Sequence, residues 1–270
     1  MPFWHFAKTL RCEWRSGGSI NLKQIALKIQ RNVGLYNISK LGNSVYDLYT
    51  GGAKRPAFFD IDKVYPSLRA VDAAYPDIRA EFESLLPQQD AMPRYHDIDT
   101  NLIHSSGRYY RDKRWNVFML YCYGSLPDAN RALCPKTCAA LNKIPFLNQA
   151  FFSILDPGKS IPAHTGPTQA YIRYHLGLKV PENNPPSIRV RDERYTWREG
   201  ESMLFDDSLE HQIYNQSDGV RAVLILDVMR PFPEPIFTAN RIMRKLGEWF
   251  YGPRLVRKAN AFQLQKPVKP

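Results

Sequence analysis

From residue 150 to residue 228 the chain breaks into seven short runs: AFFSIL, AYIRYHLGLKV, SIRVR, RYTW, SMLFDD, HQIYN and RAVLILDV. Turn-forming stretches stand between them, among them DPGK, PENNPP, REGE and NQSDG. Segments this short, rich in β-branched and aromatic residues and cut by Gly, Pro, Asn and Asp, have the length of strands rather than helices. Each strand needs partners for its backbone and a cover for its apolar face. Many in succession close into an antiparallel barrel or a double-sheet jelly roll. Upstream, WNVFMLYCYG adds another strand, and CPKTCAALNKI follows as one short helix.

The first ninety residues have a different texture. INLKQIALKIQRNVG places Ile20, Ile25, Ala26, Ile29 and Val33 at helical spacing and stops near Gly34. YTGGAKRPAFFD is a loop by its Gly and Pro content. YPSLRAVDAAYPDIRAEFESLLPQ gives two helical pieces divided at Tyr75-Pro76, the second with Ile78, Phe82, Leu85 and Leu86 on one side. The organisation expected is a helical wrap over residues 1–114 belonging to the same domain, a strand-rich core over 115–231, and a C-terminal segment over 232–270. The fold class expected is mostly β with helical elaboration, and 270 residues suffice for one sizeable core.

A chain with 44% hydrophobic and 13% aromatic residues is not disordered. It contains no apolar run of the roughly 18 residues that a membrane span needs. MPFWHFAKTLRCEW carries charges where a signal peptide has a continuous apolar stretch, so a cytoplasmic protein with reduced thiols is expected. Cys134 and Cys138 share one helical face, and with no second ligand pair nearby they read as buried thiols rather than half a zinc site. The formal charge is +11, and residues 241–270 hold eight cations against the single acid Glu248. There, IFTANRIMRKLGEWFYG mixes Ile242, Met243, Leu246, Trp249 and Phe250 with cations, which suits a helix packed on the body or one lying on an anionic membrane. The second option would make the protein peripheral on the inner membrane face. The tail matches no nucleic-acid motif, and nucleic acid is not expected as a partner.

Three of the six histidines, His164, His175 and His211, fall in the strand-rich part. In YIRYHL, alternation puts Tyr171, Arg173 and His175 on one strand face and Ile172, Tyr174 and Leu176 on the other. A polar face of this kind suits an interior that encloses a ligand. A face turned to solvent gives the same pattern, and periodicity alone leaves both open. Arg221 opens the apolar run RAVLILDV ten residues after His211. A guanidinium entering a core needs an anion, either an acid such as Asp207 or Asp227 or an anionic cosubstrate. Two neutral imidazoles with vacant positions beside them, and an arginine nearby, suit non-haem iron working with an oxo-acid.

Taken together, FSILDPGKSIPAHTGPTQAYIRYHLGL, RYTWREGESMLFDDSLEHQIYN and VRAVLILDVMRP closely resemble the aspartyl/asparaginyl β-hydroxylase family. The likeness covers about residues 115–231, and HTGPT followed by FDDSLEH is its specific part. It implies a double-stranded β-helix core, jelly-roll and cupin-like, buttressed by the N-terminal helices. It also implies an Fe(II)- and 2-oxoglutarate-dependent dioxygenase, with O2 as the other cosubstrate, that hydroxylates an unactivated C–H bond. On this resemblance His164 and His211 are the iron ligands, Ser153, His175 and Arg221 hold 2-oxoglutarate, and Arg173 faces an acidic group of the substrate.

The chain departs from its relatives in two places. A facial triad would have a carboxylate two residues after the first histidine, and here that residue is Gly166. The family's peptide hydroxylases share this loss, whereas related bacterial lipid A fatty-acyl hydroxylases keep an aspartate; an aspartate placed at 166 is expected to tighten iron. Peptide hydroxylases also carry a second arginine where this chain has Tyr171. GRYYRDKRWNVFMLYCYG and RPFPEPIFTANRIMRKLGEWF look more like the lipid-acting relatives. The expected target is the β-carbon of an aspartyl or asparaginyl side chain in a peptide or small molecule. The alternatives are a lipid fatty-acyl chain at the membrane surface, and a non-catalytic 2-oxoglutarate-binding module, which Gly166 favours.

Overall fold

The run RAVLILDVM is buried at every position, as a strand covered on both faces must be, and it lies in the middle of a six-stranded sheet. The computed structural model describes residues 35–98 and 113–262, so the helix expected over 20–34 and residues 107–112 lie outside the described residues. Residues up to Leu41 and residues from Gly42 onward separate into two units; helix α1 (Leu35–Thr50) begins in the first, and the site and its supporting core lie in the second.

Among the described residues, ten strands build the second unit. β1 (Phe58–Phe59) and β2 (Trp115–Cys122) become the two edges of the large sheet. The chain then winds between two sheets. β3 (Leu147–Leu155) is in the large one, β4 (Ile161–His164) in the small one, and β5 (Tyr171–Lys179) in the large one again. The hairpin β6 (Ser187–Val190) and β7 (Glu193–Thr196) returns to the small sheet. β8 (Ser202–Phe205), β9 (His211–Tyr214) and β10 (Arg221–Met229) then fall in the large, small and large sheets. The orders are β1-β8-β5-β10-β3-β2 and β4-β9-β6-β7, with every pairing antiparallel. This alternation is the winding of a double-stranded β-helix.

Two apolar layers follow from the two-residue period of the strands. Phe118, Phe152, Tyr174, Leu176 and Leu224 point out of the large sheet and are covered by helix α2 (Tyr75–Leu85), through Ile78, Phe82 and Leu85, and by helix α3 (Pro135–Leu141). Phe82 meets Phe152 edge-on at 5.4 Å between centroids. Phe151, Trp197, Met203, Phe205, Ile213, Val223 and Ile225 fill the space between the sheets. Cys134 and Cys138 are buried free thiols at the α3 end of the outer layer.

Three local expectations shift. The break before α2 falls at Ala73–Ala74, and Pro76 sits in the first turn of the helix, where a missing N–H costs nothing. The stretch IPAH forms strand β4 despite Pro162, because β4 is an edge strand and leaves that position unpaired. Within the FFD end of the expected loop, Phe58 and Phe59 pair with Phe205 and Leu204 as β1. Beyond β10 the chain continues as helices α4 (Ile236–Phe250) and α5 (Gly252–Ala259).

Candidate active site

β4 and β9 pair so that His164 and His211 stand opposite one another, with ring centroids 4.1 Å apart. Each Nδ1 lies 2.8 Å from the carbonyl oxygen two residues earlier, Pro162 for His164 and Leu209 for His211. A carbonyl only accepts, so each Nδ1 carries the hydrogen and each Nε2 keeps its lone pair for a metal. Burial, and then the neighbouring His211, push the His164 pKa down to about 4; burial also lowers that of His211, against the pull of Asp207. Both rings are therefore neutral at neutral pH, the state that binds metal.

Gly166 has a reason to be glycine. Its N–H donates to the Asp207 carbonyl at 2.8 Å, and a Cβ there would stand 2.0 Å from Asp207 Oδ2. The space a side chain at 166 would take is occupied by the Asp207 carboxylate. An aspartate at 166 would collide with Asp207 and set two carboxylates together, a cost that argues against the expectation that it tightens iron. Asp207 Oδ1 lies 3.5 Å from His211 Nε2, while Oδ2 accepts from the Tyr171 hydroxyl at 2.7 Å. Burial raises the Asp207 pKa, but Arg173 and the histidines outweigh it and keep the carboxyl below its ordinary value. Among the described residues no group of three or more His, Cys, Asp or Glu has metal-holding geometry, so what the fold offers an ion is the imidazole pair. The adjacent Asp206 is structural: it ties Arg55 Nε at 2.9 Å to Arg230 Nη2 at 2.7 Å.

The inward faces of β5 and β10 carry the other charges. Tyr171, Arg173 and His175 point between the sheets and Ile172, Tyr174 and Leu176 point into the outer layer, so the polar face is enclosed rather than solvated. Arg173 is fully engaged. Its Nε and Nη2 donate to Asp227 at 2.7 and 2.9 Å, and its Nη1 meets Asp207 Oδ1 at 2.5 Å. The strand register produces this pairing, since Arg173 on β5 lies directly opposite Asp227 on β10.

Arg221 is the opposite case. It is fully buried, and none of its three guanidinium nitrogens has a hydrogen-bond partner among the described residues. Asp207 and Asp227, the acids the sequence offered it, are both spent on Arg173. Its one compensation is the Trp197 ring, 3.9 Å from the guanidinium carbon. Burial alone brings its pKa down to about 9. His175 is next in line: both of its ring nitrogens are also without partners, it packs between Trp197 and Phe205, and burial holds its pKa well below the ordinary value. Ser153 Oγ accepts a hydrogen bond from Trp115 Nε1 at 2.9 Å, which leaves its own O–H free to donate. Three buried donors without an acceptor are what an anion requires, and their chemistry fits the carboxylate of an oxo-acid.

Sequence reasoning missed Trp197 and Trp115, each the apolar neighbour of a polar site residue, and no motif marks them. It also missed the Arg173 partnership, although Asp227 left a signal as the single acid in the strand RAVLILDVM.

Residues 72–231 match the family model described as aspartyl/asparaginyl beta-hydroxylase. The ornithine lipid ester-linked acyl 2-hydroxylase of Rhizobium tropici is 39% identical over 210 residues, which cover 77% of this chain and 68% of that protein. The aspartyl/asparaginyl beta-hydroxylase of Homo sapiens is 37% identical over 122 residues, 43% of this chain and 16% of that one. Human aspartate beta-hydroxylase domain-containing protein 2 is 36% identical over 126 residues, 43% of this chain and 34% of that one.

Proposed function

The chain belongs to the aspartyl/asparaginyl β-hydroxylase family, and from that membership and the site's geometry we propose that it is an Fe(II)- and 2-oxoglutarate-dependent hydroxylase of a lipid acyl chain. The observation that carries the cosubstrate is Arg221, a fully buried guanidinium with no anion. In this reading His164 and His211 hold the iron through Nε2. Arg221 clamps the distal carboxylate of 2-oxoglutarate, with the Ser153 hydroxyl as a further donor and His175 beside it. Trp197 packs its ring against the guanidinium, and Trp115 fixes the Ser153 rotor. Asp207, held by Arg173 and Tyr171, stands next to the imidazole pair as a fixed negative charge and an acceptor for water. Bound together, iron and 2-oxoglutarate supply the oxidation of C–H to C–OH by O2, with succinate and CO2 as the other products. The apolar packing of Phe205, Met203 and Ile225 excludes bulk water from the surroundings.

Two features favour an acyl chain over an acidic side chain, the target expected first. Arg173, the cation meant for a substrate carboxylate, is neutralised by two aspartates, and Tyr171 spends its hydroxyl on one of them. An acidic side chain entering here would find Arg173 already paired with two carboxylates. The likeness to the acyl 2-hydroxylase also extends over 77% of the chain, against 43% for the peptide hydroxylase, so it takes in more than the strand core.

The test is to load the protein anaerobically with Fe(II) and 2-oxoglutarate, admit O2, and score succinate and a one-oxygen mass gain on a dispersed acyl lipid and on aspartyl peptides. Oxidation of the lipid alone supports the proposal. Oxidation of peptide alone returns the first-expected target, and succinate from neither leaves a binding module.

A further inference from the structure

Helix α4 sits on the body inside out. On an ordinary surface helix the apolar stripe faces the core. In α4, Asn240, Arg244 and Gly247 recur at helical spacing and face the protein. Asn240 donates to the Ala170 carbonyl at 2.8 Å, Arg244 to the Leu147 carbonyl at 3.2 Å, and Gly247 lies against the Tyr123 ring. The opposite face holds Ile242, Met243, Leu246, Trp249 and Phe250, all exposed, with Trp249 at 64%. Phe146, also exposed, packs edge-on against Phe237 of the same helix, and exposed Leu126 follows the turn at Gly124 that lies against Glu248. Five large apolar side chains left exposed on one helix are the kind of surface that marks an interaction site.

The partner is indicated by charge and by position. Across α4 and α5 six cations accompany the single acid Glu248. Arg241, Arg254 and Arg257 are exposed, and among the described residues none is within ion-pair distance of a carboxylate. Trp beside arginines on an apolar stripe is the composition of a helix lying at an anionic lipid interface. Position adds a second line. Asn240 ties α4 to Ala170, at the end of the loop that runs out from His164. The 42–50 part of α1 is tied to the same loop, by Asn43 to Gln169 N at 2.8 Å and by Asp47 to the Gln169 side chain at 2.8 Å. That part of α1 exposes Val45, Leu48 and Tyr49, with Leu48 at 81%. Two sets of exposed apolar side chains are therefore fastened to the loop that follows His164, a proposed iron ligand.

We infer that the outer face of α4, assisted by that of α1, docks the protein on an anionic bilayer and brings the site's loop to the lipid. The choice of a bilayer as partner rests in part on the lipid-hydroxylase reading; the outward stripe does not.

The test is flotation of the full chain, without added iron or cosubstrate, with phosphatidylcholine vesicles with and without phosphatidylglycerol. Wild type is expected to bind the anionic vesicles on the order of a hundredfold better than the neutral ones, about fivefold for each of the three exposed arginines, and added salt should release it. L246E/W249E should abolish binding, and the neutralising pair R254Q/R257Q should weaken it by roughly fivefold per residue. All four side chains are exposed, so both variants should keep the wild-type circular dichroism and melting temperature, and should still oxidise lipid dispersed in detergent. Absence of flotation overturns the inference, and so does equal flotation of L246E/W249E. Concentration-dependent dimers that the same substitutions abolish, without vesicle binding, also overturn it and assign the face to a second copy. Flotation without lipid oxidation would retain the docking surface and refute the proposed substrate, whereas oxidation without flotation would do the reverse.

Discussion

Replacing Arg221 with methionine should make the empty protein more stable while destroying its ability to bind the oxo-acid. The guanidinium is fully buried and unpaired, and burial brings its pKa down to about 9. Relative to an ordinary arginine that fall corresponds to a cost on the order of 5 kcal/mol at neutral pH. The Trp197 face returns up to about 2 kcal/mol. The remainder, roughly 3 kcal/mol, is what an apolar side chain of similar length would recover, within the range seen when buried ions are replaced by hydrophobic residues. For a chain of this size that is a rise in melting temperature of about 6–12 °C. A cation whose folded pKa is depressed costs stability wherever it is protonated. The gap between variant and wild type should therefore be full below pH 9 and close as pH rises through and beyond about 9. In thermal denaturation, 2-oxoglutarate at a hundred times its dissociation constant should add about 2.7 kcal/mol to wild type and nothing to the variant. A variant less stable than wild type without ligand, or one that keeps the 2-oxoglutarate shift, would refute the reasoning.

Other outcomes follow from the same geometry. His164→Ala and His211→Ala should each lower Fe(II) or Co(II) affinity by at least the 10–100-fold typical of disturbing a ligand's support, measured by calorimetry, and unchanged affinity in either would separate that ring from the metal. Asp227→Ala leaves Arg173 with Asp207 alone and should cost about 3 kcal/mol in urea denaturation; a loss under about 1 kcal/mol would mean that the pair is not held as described. Gly166→Ala should destabilise by about 1–3 kcal/mol, because its Cβ would stand 2.0 Å from Asp207 Oδ2, and Gly166→Asp should weaken rather than strengthen metal binding. Phe82→Ala should cost about 3–5 kcal/mol without altering metal affinity, since it supports only the outer layer.

Most of the strand framework could be read from the chain because strands leave a two-residue period and turns leave Gly, Pro, Asn and Asp. All seven runs from AFFSIL to RAVLILDV occur as strands, and the face assignment in YIRYHL holds. The order of strands in the sheets was not legible, because long-range pairing leaves no local mark. Strand β4 escaped notice through Pro162, and with it the pairing that sets His164 against His211. The site was legible in its residue types but not in its charges. Arg173 and Arg221 look alike on paper, each a cation at the inward position of a strand. Only register distinguishes them: β5 and β10 place Asp227 opposite Arg173, whereas Arg221 has Leu155 across from it on β3. The direction of α4 was equally hidden, since an amphipathic pattern gives the angle of its stripe but not which side meets the protein.

The winding that carries the chain from one sheet to the other also divides the chemistry. His164 and His211 both lie on the four-stranded sheet, while Ser153, His175 and Arg221 all lie on the six-stranded one. Metal and cosubstrate would thus hang from opposite walls, about 10 Å apart as packed sheets are. The spacing between the walls is then itself a functional dimension, fixed by side chains such as Met203 and Ile213 and by Phe205, whose ring meets His175 of one set and His211 of the other edge-on. A substitution that moves the walls by an ångström could leave each ligand's own affinity intact and still break their alignment. Such a variant would look healthy in every binding assay and be silent in turnover.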